Sequence, residues 1–315
     1  MSVLSVRAEG PYRFLKEIPI SGEGGWDYLS IDEAARRLYV THATKIVVID
    51  LDKDAVAGEI ADTPGVHGFA LAPELGRGFS SNGKENKASI VDLKTLQTIA
   101  KVETGENPDA ILLVRQSVWV FNGHGRSVTI FDGKSGKVEL TAPVDGKPEF
   151  AVTDGANIYC NIEDKNEVAL IGKFIIHWPL TPGEEPTGLA IDTEHHRLFA
   201  GCHNKLLVML DSTTGKVVTT VPIGQGVDAM AFDAGTQFVF ASCGDGTVTV
   251  AHEDAPDKLT VVQTLNTERG ARTMALDPTT HKIYLASAKF EPAVAGERPK
   301  IVAGSFKILV YGIVK

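Results

Sequence analysis

Seven positions that recur about forty residues apart hold six side chains able to ionise or bind a metal. They are Asp27, His67, Asp109, Glu149, Thr187, Asp228 and Arg272. A second series follows each of these by about fifteen residues and reads His42, Asn82, Asn122, Ile162, Cys202, Cys243 and Ser287, with His124 just beyond it. If the fold brings the repeats around one axis, His42, His67 and His124 lie on three successive units beside Asp27, Asp109 and Glu149. Imidazole with carboxylate suits a borderline divalent metal such as zinc, manganese, iron or copper, and an open coordination position would activate water. Arg272 would then clamp a carboxylate, a phosphoryl oxygen or a developing oxyanion. Calcium is the alternative ion, through the oxygen donors of Glu149, Asp228, Asn82 and Asn122. A metal-free reading uses Asp109 or Glu149 as base and His67 or Arg272 as acid. Trp26, Asn82, Asn122, Thr187 and Asp228 are expected to contact the substrate.

The elements that position these residues are short strands. Gly25-Trp26-Asp27-Tyr28-Leu29-Ser30-Ile31-Asp32 shares its frame with Glu185 to Asp192, Gly226 to Asp233 and Ala271 to Asp277. Each unit continues with a second strand such as Arg37 to Thr41 and a third ending in aspartate, as in Ile46 to Asp50 or Leu206 to Asp211. Glycine-containing turns such as Ser212 to Lys216 lead to a fourth strand, Val217 to Ile223. Four strands per forty residues is the pattern of a propeller blade. The spacing predicts an all-β, seven-bladed β-propeller of four-stranded antiparallel blades. Blades are expected over 26–60, 67–102, 107–144, 146–180, 185–223, 226–265 and 269–313, with 12–20 as a closing strand on the last blade. That closure hides two sheet edges. An insertion at 290–305 is expected to rise over the tunnel mouth as a lid or as a disordered excursion.

The stretches Arg37-Leu38-Tyr39-Val40-Thr41, Gly65-Val66-His67-Gly68, Asn107-Pro108-Asp109-Ala110 and Glu184 to Leu189 resemble the YncE-like, YVTN-repeat seven-bladed propellers of bacteria. The resemblance spans essentially the whole chain. It implies the same fold and a periplasmic or secreted location where a leader has been removed; without one, the chain is expected in the cytoplasm. It implies no settled reaction.

Composition narrows the remaining classes. At 43% hydrophobic and 23% charged residues, the chain is too apolar to stay disordered. Its net charge of −9 and lack of basic runs argue against nucleic acid. No apolar run approaches the roughly 18 residues of a membrane helix. Three cysteines without a CxxC argue against a disulfide framework or a zinc knuckle. No GxSxG, HExxH or phosphate-binding loop is present. His195 and His196 read as solvated turn residues, and His177 and His252 as blade-edge residues without partners. Two functions stand: a metal-assisted hydrolase (ester, lactone or phosphotriester) or lyase acting on a small polar molecule at the tunnel mouth, and a non-catalytic module binding a ligand or protein partner there.

Overall fold

The computed structural model describes residues 10–20, 22–292 and 299–314. Among them, strands pair into seven four-stranded antiparallel sheets, six built from consecutive strands. The first blade runs through Trp26–Asp32, Arg37–His42, Lys45–Asp50 and Ala55–Ile60, and the five that follow repeat this order. In the seventh, Met274–Asp277, Lys282–Ser287 and Lys307–Ile313 are completed by the N-terminal strand Tyr12–Pro19, which pairs antiparallel from Tyr12 opposite Ile313 to Pro19 opposite Lys307. The closing strand is thus the outermost strand of the last blade.

Two recurring aspartates are explained by turn geometry rather than chemistry. At the end of the third strand, Asp50, Asp92, Asp132 and Asp211 each accept backbone N–H groups two or three residues onward, as Asp211 Oδ1 does from Thr213 at 3.0 Å and Thr214 at 2.8 Å. A carboxylate doing this holds the chain in the turn before the fourth strand. Asp32, Asp192, Asp233 and Asp277 do the same at the end of the first strand.

The core lies between blades. Second-strand aromatics Tyr39, Phe79, Tyr159, Phe199, Phe240 and Tyr284 are buried and fill the wedges between neighbouring sheets. Tyr39 meets Phe69 at 4.9 Å between ring centroids and Phe199 stacks on Phe232 at 5.4 Å. Each buried aromatic contributes about 2–3 kcal/mol by area. The seam between the first and last blades is as apolar as the others: Leu38, Val40 and Val47 pack with Tyr284, Phe306 and Ile308. Tyr12 ties the closing strand to the sixth blade as well. Its hydroxyl donates to His281 O at 2.8 Å, its backbone exchanges hydrogen bonds with Gln263, and its ring meets Phe240 edge-on at 5.0 Å.

No helix among the described residues is long and apolar enough to cross a membrane. The tip of the expected lid, 293–298, lies outside the described residues. Its stem is a short hairpin in which Phe290 bridges Ile301 and Glu291 N donates to Lys300 O at 2.8 Å. His177 and His252 are not partnerless: Glu167 Oε2 lies 3.0 Å from His177 Nδ1, and Asp254 Oδ1 2.7 Å from His252 Nδ1. Glu167 lies on the strand adjoining that of His177, a cross-strand pairing that a single strand's pattern does not display, whereas Asp254 lies two residues along His252's own strand.

Candidate functional site at the tunnel mouth

The first strand of each of the first six blades is irregular at one place. The pairing slips between Trp26 and Leu29, Val66 and Phe69, Pro108 and Ile111, Pro148 and Ala151, Pro186 and Leu189, and Val227 and Ala229. A bulge re-aims the side chains it contains. Each slip contains the ring residue, so Asp27, His67, Asp109, Glu149, Thr187 and Asp228 sit where strands enter the tunnel. Buried hydroxyls and amides hold the bulges. Ser81 Oγ accepts from Gly68 N at 2.8 Å and donates to Asp109 O, and Asn161 donates to Thr187 O and Gly188 O at 2.9 and 3.0 Å. Thr187 donates to Val227 O at 2.7 Å, and Ser242 to Ala271 O at 2.9 Å.

Three of the ring residues converge. His67 Nδ1 donates to Asp27 Oδ2 at 2.6 Å and lies 3.9 Å from Asp109 Oδ1. Burial alone would push the imidazole down, but the hydrogen bond to Asp27 and the charges of Asp109, Asp27 and Glu149 outweigh it and raise the histidine to about 9. His67 is therefore an imidazolium at neutral pH. Asp109 is only 7% exposed, and its Oδ1 has no hydrogen-bond donor. Its burial, reinforced by Glu149 and Asp27, holds its carboxyl well above the ordinary range despite His67. Across the ring, Lys147 Nζ lies 3.0 Å from Glu149 Oε2 and is shared with Glu163. Arg272 Nε lies 2.8 Å from Asp228 Oδ2. Burial, only partly offset by Arg272, raises Asp228 to about 7.

One step deeper stand two half-buried aromatic rings. Tyr28 and Phe150, on the first and fourth blades, meet edge to face at 5.0 Å between ring centroids. The same register holds Gly68, Ala110, Gly188, Ala229 and Thr273 on the other blades. Burial raises the Tyr28 hydroxyl well above its ordinary value, and Asp109, Asp27, Glu149 and Asp228 all add to the effect. The aromatic pair thus lies beside the acidic residues of the ring. Neither Tyr28, Phe150 nor Lys147 was singled out from the sequence. Two aromatics among five small residues at one register was the available signal.

The other expected site residues lie elsewhere. His42 is buried, stacks on Phe306 at 4.1 Å and donates from Nε2 to Gly24 O at 3.2 Å. His124 is exposed on a loop of the third blade. Neither joins His67, whose neighbours close enough to share a metal ion are Asp27 and Asp109. Trp26 packs against Phe306 and Phe290 at 5.2 and 6.2 Å and supports the stem of the insertion. Asn82 is buried among Ser80, Glu85 and Ser89, and Asn122 among Ser127, Thr129 and Gly105. The second-strand residues that reach the ring are one position earlier, Thr41, Ser81, Asn161 and Ser242, because successive strand residues face opposite sides. Cys160, Cys202 and Cys243 are free and buried.

Beside the ring, the insertion stem and the turn carrying Glu268, Arg269 and Gly270 enclose a second cavity of about 600 Å³. Its walls include Lys289, Phe290 and Glu291.

No family model matches the chain, and no curated protein matches it. Solved structures do. The RRP9 WD40 repeats superpose with a TM-score of 0.80 at 9% identity, covering 96% of this chain and 98% of that one. The structure of U3-55K gives 0.78 at 9% identity, covering 95% and 98%. At that identity the likeness is one of fold.

Proposed function

We propose that the protein is a non-catalytic binding module whose tunnel mouth holds a small polar molecule bearing an amine or guanidinium group. The observation that carries this reading is Asp109 Oδ1, buried and without a donor. It stands in a cup where Asp27, Asp109, Glu149, Glu163 and Asp228 outnumber the cations His67, Lys147 and Arg272. A buried carboxyl without a donor is costly, and an entering ammonium or guanidinium supplies three to five N–H groups and the charge that favours its ionised form. The Tyr28 ring below offers a face for the same cation. A lysine or arginine of a protein partner presents identical chemistry. The motifs around Arg37 to Thr41 support kinship with the YVTN-repeat propellers, a family whose fold leaves the activity open.

A metal-assisted hydrolase is the second reading, favoured by the proximity of Asp27, His67 and Asp109. An ion there would displace the proton on His67 Nδ1 or bind through the other ring nitrogen. Calorimetric titration with agmatine and putrescine, against butanediol and succinate, separates the readings. Binding of the two cations alone, abolished by Asp109→Asn, is the expected result. Equal binding of succinate, or stoichiometric metal with ester, lactone or phosphotriester turnover lost in His67→Ala, would overturn the binding-module reading.

A further inference from the structure

On the face opposite the tunnel mouth, four first strands end in aspartate, and in the sixth and seventh blades that aspartate, Asp233 or Asp277, has two jobs. One oxygen caps the following turn, while the second takes a basic side chain from the next blade. Arg36 Nη1 of the first blade lies 2.8 Å from Asp277 Oδ2 of the seventh, and His281 Nδ1 of the seventh lies 2.7 Å from Asp233 Oδ2 of the sixth. Both side chains stand four residues after their own blade's aspartate, Asp32 and Asp277.

The pattern fails at the seam between the fifth and sixth blades. The equivalent residue of the sixth blade is Gln237, whose amide turns back to Ala234 O at 2.8 Å. Asp192 of the fifth blade is buried and receives a carboxylate instead. Glu253, near the end of strand Thr247–Ala255, is 3% exposed, and neither of its oxygens has a hydrogen-bond donor. The partner at hand is a histidine of the fifth blade's own turn. His195 Nδ1 lies 2.7 Å from Asp192 Oδ2 and 3.7 Å from Glu253 Oε1. Arg197, the nearby guanidinium, is engaged by Asp211 at 3.0 Å and by the carbonyls of His196 and Pro256. Two buried carboxylates therefore share one imidazole, where the neighbouring seams pair one carboxylate with one basic side chain. Burying a carboxylate is tolerated when it is paired or coordinates a metal.

We propose that Asp192, His195 and Glu253 form a binding site for a divalent transition-metal ion that staples the fifth blade to the sixth. One ligand atom from each residue lies within 4.8 Å of the others, close enough to converge on one ion. Two carboxylates match the charge of a divalent cation, and an imidazole nitrogen favours a borderline metal such as zinc over calcium or magnesium. His195, with a side chain 32% exposed, is the access route and leaves a coordination position for water.

The test is calorimetric titration of the chelator-stripped full chain with Zn²⁺, read alongside the visible absorption of Co²⁺. One equivalent is expected in the wild type and in Asp109→Asn, which disables the cluster at the tunnel mouth. Glu253→Gln, close in shape, and His195→Ala, in an accessible turn, are each expected to weaken binding about tenfold or more. A rise in melting temperature on adding Zn²⁺ should appear in the wild type and vanish in His195→Ala. No stoichiometric uptake by the wild type, or uptake unaffected by both variants, would overturn the proposal. So would uptake lost in Asp109→Asn but retained in His195→Ala, which places the ion at the tunnel mouth.

Discussion

Replacing His67 with glutamine removes the cation held between Asp27 and Asp109 while keeping a similar volume. Its ionisation is raised from 6.5 to about 9, which corresponds to roughly 3 kcal/mol of preference for the charged ring in the folded protein. The side chain is 27% exposed, so solvent screening lowers the expected effect to about 2 kcal/mol. The folded value lies above the unfolded one. This contribution is therefore complete below pH 6.5 and disappears as pH rises through about 9. Urea unfolding of wild type and His67→Gln at pH 6 and pH 9.5 measures it. The variant should be less stable by about 2 kcal/mol at pH 6, and most of that deficit should be gone at pH 9.5. A deficit that is independent of pH, or larger at pH 9.5, would refute an imidazolium clamped by two carboxylates.

Asp228 has the opposite sign, because burial raises it from 3.8 to about 7 and its ionisation opposes folding as pH rises through that window. Asp228→Asn should therefore gain about 2 kcal/mol relative to wild type between pH 4 and pH 8 in the same unfolding assay, with the lost Arg272 pair limiting the gain. Tyr12→Ala removes a buried ring and the hydroxyl bond to His281, so a loss of about 3–5 kcal/mol is expected, with hydrogen exchange accelerated first in Tyr12–Pro19 and Lys307–Ile313. Asn82→Ala should cost about 1–3 kcal/mol of stability through its severed bonds to Ser80, Glu85 and Ser89 and leave agmatine affinity unchanged; calorimetry checks the second half.

The architecture was readable because each blade repeats the same frame, and the closing strand because Tyr12 to Ile20 looks like the fourth strand missing from the last repeat. The ring was readable for a related reason. A bulge at one register in six blades turns a sequence period into a circle of side chains. The second-strand series came out one residue late, since strand alternation makes a single step the difference between facing the bulge and facing the blade's own loop. That step is why Asn82 and Asn122 brace their own blade's loops while Ser81 and Asn161 brace the bulges of the ring. His42 falls in the second-strand series and His124 just beyond it, and neither shares the centre of the ring. The cluster of Asp192, His195 and Glu253 was hidden because Glu253 comes from another blade's third strand, and no repeat counterpart announces it.

A crystal structure of the protein with agmatine bound addresses the binding reading most directly. The account predicts the guanidinium or amine within hydrogen-bonding distance of Asp109 Oδ1, above the Tyr28 and Phe150 rings. Agmatine seated instead in the cavity beside Glu268 and Lys289, with the cup holding solvent, would contradict it.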